Sequence, residues 1–127
     1  MNIPHNLLYT KEHEWIRIEG EVAVAGITDY AQGELGDIVY VELPQIGEHF
    51  EKGESFGTIE AVKAVSDLFA PLSGEVVEVN KSLEDAPEQI NNSPYGDGWM
   101  VKIRISDISE KVDLLDAADY QALIGEA

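Results

Sequence analysis

Lys63 is one of eight basic residues in a 127-residue chain that carries 25 acids. It stands in the run AVKAV, between Ala61, Val62, Ala64 and Val65. Two short strand-like runs, SFGTIEA and AVSDLFA, flank it, which puts the lysine on a tight turn between strands. An amine held there stands clear of the body of the protein, where a modifying enzyme reaches it without unfolding anything. Once acylated, such a lysine becomes a swinging arm: the side chain supplies a flexible stem and an amide nitrogen, and the attached group supplies the reactivity. The other reading is an ordinary hairpin-tip lysine with Glu60 and Asp67 as loose ion-pair partners, worth little in water. On spacing alone the second reading is the commoner one.

Other chemistry finds less support. His5, His13 and His49 have no second ligand or base at a recognisable spacing, and His13-Glu14 is not followed by the second histidine of a metalloprotease motif. His13 therefore reads as structural, and no metal site is expected. The chain has no cysteine. Disulfides, thiolate metal sites and cysteine nucleophiles are excluded, and no protein thiol is present to exchange with an attached sulfur group. Gly47, Gly53 and Gly57 do not form a phosphate-cradling pattern. Acids are too abundant for any pair to be singled out as a hydrolase dyad.

The elements that carry Lys63 are mostly strands. Residues 14–25, EWIRIEGEVAVA, read as a hairpin turning at Gly20, with Ile16 and Ile18 alternating against Trp15, Arg17 and Glu19. TDYAQGELG suits a short helix capped by Thr28 or Asp29 and ended by Gly36. DIVYVEL is β-prone and stopped by Pro44, PQIGEHFEKGE is a turn-rich connection, and EVVEVN is a further strand after the turn PLSG. LEDAPEQINNSPYGDG reads as loop with one helical turn led by Pro87. In WMVKIRI, Met100, Lys102 and Arg104 alternate with Val101, Ile103 and Ile105, predicting a strand with one wet face. Asp116 can cap a final helix running to Ile124, with Leu115 and Tyr120 at staple spacing and Gly125 at the C-terminal cap. LGDIVYVELP and LSGEVVEVN echo each other. This is either chance similarity between strands or a flattened barrel of two like halves joined at Lys63.

The length suits one domain over residues 1–127. A net charge of −17 argues against nucleic-acid binding, because phosphate repels such a surface. It serves solubility or steers the chain toward basic partner surfaces. No apolar run approaches the length of a membrane span, and the N-terminus lacks the features of a signal peptide, so a cytoplasmic location is expected.

EAVKAVSDLFAPLSGEVVEVN resembles the attachment site of lipoyl domains. There an acid three residues before the lysine, a small residue after it and a downstream Pro-x-x-Gly turn frame the hairpin; Glu60, Lys63, Ala64, Pro71 and Gly74 match. With YTKEHEWIRIEG, VAGITDYAQGELGDIVYVELPQIGE and SPYGDGWMVKIR in order, the chain from about Tyr9 to the last helix resembles the H proteins of the glycine cleavage system. The resemblance implies a mostly β fold, a barrel-sandwich hybrid with an N-terminal extension, short helical turns and a C-terminal helix. It implies a non-catalytic carrier with lipoate in amide linkage on Lys63, and Glu60 and Ala64 read by the lipoate-attaching enzyme. The implied partners are a glycine decarboxylase (P protein), an aminomethyltransferase (T protein) and dihydrolipoyl dehydrogenase (L protein). An aminomethyl thioether expels its thiolate when the nitrogen lone pair is free. A carboxylate that favours the ammonium form, together with exclusion of water, protects it. Glu14 and Asp67 match the acids that line the family's arm cleft. Glu12 stands where a small polar residue is usual, adding a third carboxylate or narrowing the cleft. Biotinyl sites flank their lysine with methionines, where this chain has Val62 and Ala64. VSDLF places Ser and Asp in the reverse of the acyl-carrier order. A lipoyl or octanoyl relay of the same fold is the alternative function.

Overall fold

Between β2 (Glu14–Glu19) and β3 (Val22–Ile27), Gly20 takes a positive φ of 65° and reverses the chain, so that Glu19 faces Val22 and Glu14 faces Ile27. The structure, a computed structural model, describes residues 2–125. Strands β1 (Leu8–Tyr9), β5 (His49–Phe50), β8 (Gly74–Val79) and β9 (Val101–Ile105) join them in a six-stranded sheet ordered β1-β2-β3-β9-β8-β5. A second sheet holds β4 (Ile38–Glu42), β6 (Ser55–Ala61) and β7 (Val65–Phe69), ordered β4-β6-β7, every neighbour antiparallel. The fold is mostly β, as expected, but the two sheets do not close into a barrel. The echoing segments became β4 and β8, one in each sheet.

The helices formed where the caps predicted them. Thr28 Oγ1 accepts from Ala31 N (3.1 Å) at the start of α1 (Asp29–Leu35), and Gly36 ends it at φ 82°. The loop after β8 holds two short helical turns where one was expected, α2 (Ser82–Asp85) and α3 (Gln89–Asn92). A 3-10 segment covers Ile108–Asp113. The last helix, α4 (Ala117–Ile124), is capped by Asp116, which accepts from Asp119 N at 2.8 Å, and by Gly125 in the left-handed conformation.

The main core fills the space between the sheets with Ile27, Ile38, Ile59, Leu68, Val101 and Ile103 among its members. Two expectations of alternation fail. Met100, placed on the wet row with Lys102 and Arg104, is fully buried in this core, its N–H bonded to Ala25 O at 2.9 Å. Trp15 and Ile16 are both buried although they point to opposite faces of β2. The reason is a second apolar cluster on the outer face, where the N-terminal residues Ile3, Leu7 and Tyr9 and the helix residues Ala117 and Tyr120 cover Trp15 and Val24. Tyr120 stacks on Tyr9 at 4.7 Å, and Tyr9 and Leu115 exchange backbone hydrogen bonds of 2.7 and 2.8 Å. The predicted staple residues Leu115 and Tyr120 meet in this cluster. Where the sheet is covered on both faces, as at Trp15 and Ile16, period-two patterning is lost, while Lys102 and Arg104 keep it in β9.

Candidate functional site

Lys63 sits at the tip of the turn between β6 and β7 and is exposed. Ala61 N donates to Ala64 O at 2.7 Å and closes the turn, while Val62 N donates to Asp37 O at 3.0 Å and anchors it to the end of α1. Ala61 is buried and holds the base; Val62 is 75 % exposed. Glu60 lies on the outward face of β6, level with Tyr40 on β4 and Val65 on β7. Neither Glu60 nor Asp67 forms an ion pair with Lys63 among the described residues. The lysine stem instead lies over Gly36: a Cβ there would stand 3.2 Å from Lys63 Cε. Asn91 fixes this support, accepting from Ile38 N at 2.9 Å and donating to Gly36 O at 2.9 Å and to Gln32 Oε1 at 3.0 Å. Pro71 and Gly74 frame the next turn of the chain, between β7 and β8, not the lysine turn itself.

A cleft of about 330 Å³ lies between α1, β7 and the Glu12–Glu14 segment. Its apolar lining includes Ile27, Ala31, Leu35, Ile59 and Leu68, and its carboxylates are Glu12, Glu14, Glu34 and Asp67. The helix side is on the order of 10 Å long at about 1.5 Å per residue. An apolar trough bordered by carboxylates suits an aliphatic arm that ends in a cation. The three acids expected at the arm cleft, Glu12, Glu14 and Asp67, are thus brought together, although Asp67 lies more than 50 residues from the other two in the chain. Glu12 and Asp67 are exposed at the rim; Glu14 is 3 % exposed. Glu12 and Glu14 also border a larger recess of about 570 Å³, which Lys11, Lys52, Phe69 and Pro71 complete on the far side.

Glu14 is held from two sides. Phe69 N donates to its Oε2 at 2.7 Å and the Thr10 hydroxyl to its Oε1 at 3.2 Å. Burial nevertheless dominates and pushes its carboxyl from the ordinary 4.5 up to about 8, with the charge of Glu12 adding in the same direction and the two hydrogen bonds opposing. A protonated Glu14 keeps both contacts, because the Thr10 hydroxyl can turn from donor to acceptor. At neutral pH burial favours the protonated form of Glu14, and a neighbouring cation would favour the carboxylate.

The α1 wall was not legible as a site. Tyr30, Ala31, Glu34 and Leu35 enter the cleft as one helix face, a pairing at i, i+4 that the helix prediction contained but that nothing linked to Lys63. His13 lines the cleft as well: it adopts φ 67°, and its Nδ1 lies 2.9 Å from the Tyr120 hydroxyl. Burial lowers its pKa, while Glu12 and Glu34 work to raise it. Among the described residues no cluster of three potential ligands could hold a metal ion, and no helix is long and apolar enough to cross a membrane.

Comparison with known proteins places this geometry in a family. The family model described as glycine cleavage H-protein matches residues 7–127. The glycine cleavage system H protein of Bacteroides thetaiotaomicron is 58 % identical over 124 residues, covering 98 % of each chain. That of Staphylococcus carnosus is 56 % identical over 126 residues, covering 99 % of this chain and all of the relative. The crystal structure of a glycine cleavage system H protein from Mycobacterium marinum superposes with a TM-score of 0.90 at 42 % identity, covering 97 % of this chain and 99 % of the other. With matches of this extent in both sequence and fold, the chain belongs to the glycine cleavage H-protein family.

Proposed function

We propose that this chain is the lipoyl-carrying shuttle of a glycine cleavage system, a single carrier unit that binds lipoate through the Nζ of Lys63. It takes the aminomethyl group of glycine from the P protein and delivers it to the T protein, and the L protein restores the disulfide. It catalyses none of these steps. The bound dithiolane supplies a disulfide that accepts the one-carbon unit and is left as a dithiol after delivery.

The observation that carries this reading is the placement of Lys63. Its stem lies over Gly36 at the end of α1, and α1 lines the cleft that also holds the buried carboxyl of Glu14. The turn presents the amine to an attaching enzyme, which reads Glu60 and Ala64 beside it. Gly36 leaves room for the stem to fold down toward α1. Ile27, Leu35, Ile59 and Leu68 then exclude water along the arm, and Glu14, with Asp67 and Glu12 at the rim, holds the cargo as an ammonium. That protonation withdraws the lone pair that would otherwise expel the thiolate. The remaining acids set a field that draws in the basic surfaces of cytoplasmic partner enzymes.

Co-expression with a lipoate-attaching enzyme should add the mass of one lipoyl group, and Lys63→Arg should abolish the gain. An unchanged wild-type mass, under conditions that modify a known lipoyl domain, removes the carrier function. Modified protein should also support glycine-dependent exchange of carbon dioxide by the P protein; modification without exchange would instead indicate a relay in lipoate metabolism.

A further inference from the structure

The Glu12–Glu14 side of the cleft is tied to α1 by a residue of the last helix that does not itself line the cleft. Tyr120, fully buried, places its hydroxyl 2.9 Å from Nδ1 of His13 and 2.8 Å from Oγ1 of Thr28. His13 lies between Glu12 and Glu14, and Thr28 is the cap on which α1 begins. The Glu12–Glu14 segment and α1 each line part of the cleft, with β7 completing it, and a backbone bond from Thr28 N to His13 O (3.0 Å) joins the first two a second time.

The direction of the hydrogen bonds follows from counting donors. Thr28 Oγ1 accepts from Ala31 N, and its own proton has Tyr120 Oη as its acceptor among the described residues. Thr28 therefore donates to Tyr120, and Tyr120 donates on to His13 Nδ1, which leaves the imidazole proton on Nε2. In this arrangement each proton along Thr28, Tyr120 and His13 Nδ1 has an acceptor within the chain. The arrangement holds His13 in its left-handed conformation, and that conformation in turn determines where Glu12 and Glu14 emerge on either side.

We infer that Tyr120 is a positioning residue for carriage: its hydroxyl clamps the Glu12–Glu14 wall to the start of α1 and sets the width at which the cleft shields the loaded arm. This rests on the carrier function proposed above and assigns a part of it to the C-terminal helix. Tyr120→Phe keeps the ring stacked on Tyr9 and removes the clamp alone.

Two measurements on Tyr120→Phe test it. Without any lipoate, nitrogen NMR of the His13 ring should show the Nε2–H tautomer in the wild type and lose that preference in the variant, with faster amide exchange at Ala31. After loading by the P protein and its removal, with no T protein present, spontaneous release of formaldehyde and ammonia should quicken about three- to tenfold, the range one ordinary hydrogen bond sets on a docking equilibrium. Lipoylation of Lys63 and reoxidation of the free dithiol should not change. Leu7→Ala, a truncation in the same buried cluster, controls for general loosening and should leave the lifetime of the cargo unaltered. Equal lifetimes in wild type and Tyr120→Phe overturn the inference while the carrier function stands, as does an equal loss in Leu7→Ala. A wild type that releases its cargo as fast as the denatured loaded chain overturns both.

Discussion

Replacing Glu14 by glutamine should change how stability depends on pH, and the structure fixes both sign and size. Burial raises the Glu14 carboxyl from 4.5 to about 8 in the folded protein. Between these values the folded state keeps a proton that the unfolded chain releases, so stability falls as pH rises. The contribution is fully present below about pH 4.5 and is lost progressively as pH passes through about 8. At about 1.4 kcal/mol per unit, roughly 3 kcal/mol has gone by pH 7. Glutamine is isosteric with the protonated acid: its oxygen can accept from Phe69 N, and its amide can donate to Thr10 Oγ1, replacing the two bonds of the carboxyl. The difference in unfolding free energy between wild type and Glu14→Gln, measured by urea titration at pH 5, 6, 7 and 8, should therefore shrink or reverse steadily with pH. The other acids are common to both chains and cancel. A difference flat to within a few tenths of a kcal/mol, or one that grows with pH, would refute the assignment of Glu14 as a proton-holding group. The same logic reaches function. A cationic cargo beside Glu14 favours its ionised form, so the loaded protein should lose this pH slope, and Glu14→Gln should load but release its cargo faster.

Two further substitutions test the support of the arm. Gly36→Ala places a methyl 3.2 Å from Lys63 Cε at a φ of 82°, a conformation that costs a non-glycine residue roughly 1 kcal/mol or more. It should slow lipoylation, measured as mass gain over time, and lower Tm modestly; a lysine modified at the wild-type rate would show that the stem does not use this surface. Gly26→Ala puts a Cβ 2.8 Å from Trp15 Nε1, whose hydrogen bond to Pro94 O (2.9 Å) anchors the loop before β9. Overpacking of this kind costs roughly 1–3 kcal/mol, so denaturant unfolding should show a marked loss of stability with the modification of Lys63 preserved.

Local signals made a large part of the fold legible in advance. The strands around Lys63, the turn that carries it, and both caps of α1 and α4 follow from side chains within a few residues of each element: Thr28 and Gly36, Asp116 and Gly125. These depend on backbone preference and short-range hydrogen bonding, which the sequence encodes where they occur. Lys63 itself stood out because a cation in a run of small apolar residues has few local explanations. What the tertiary structure alone decided is everything that rests on distant segments meeting. Trp15 is buried because residues from both ends of the chain cover it, and Met100 because it packs in the core between the sheets just before β9. Glu14 differs from the other acids among the described residues through burial against β7, and burial, not sequence, raises its pKa. Tyr120 lies 107 residues from His13; its staple spacing to Leu115 marked it as a packing residue and gave no sign of the hydrogen bond to His13. Desolvation and long-range hydrogen bonds are properties of a filled space, and a linear pattern specifies that space only after the chain has closed around it.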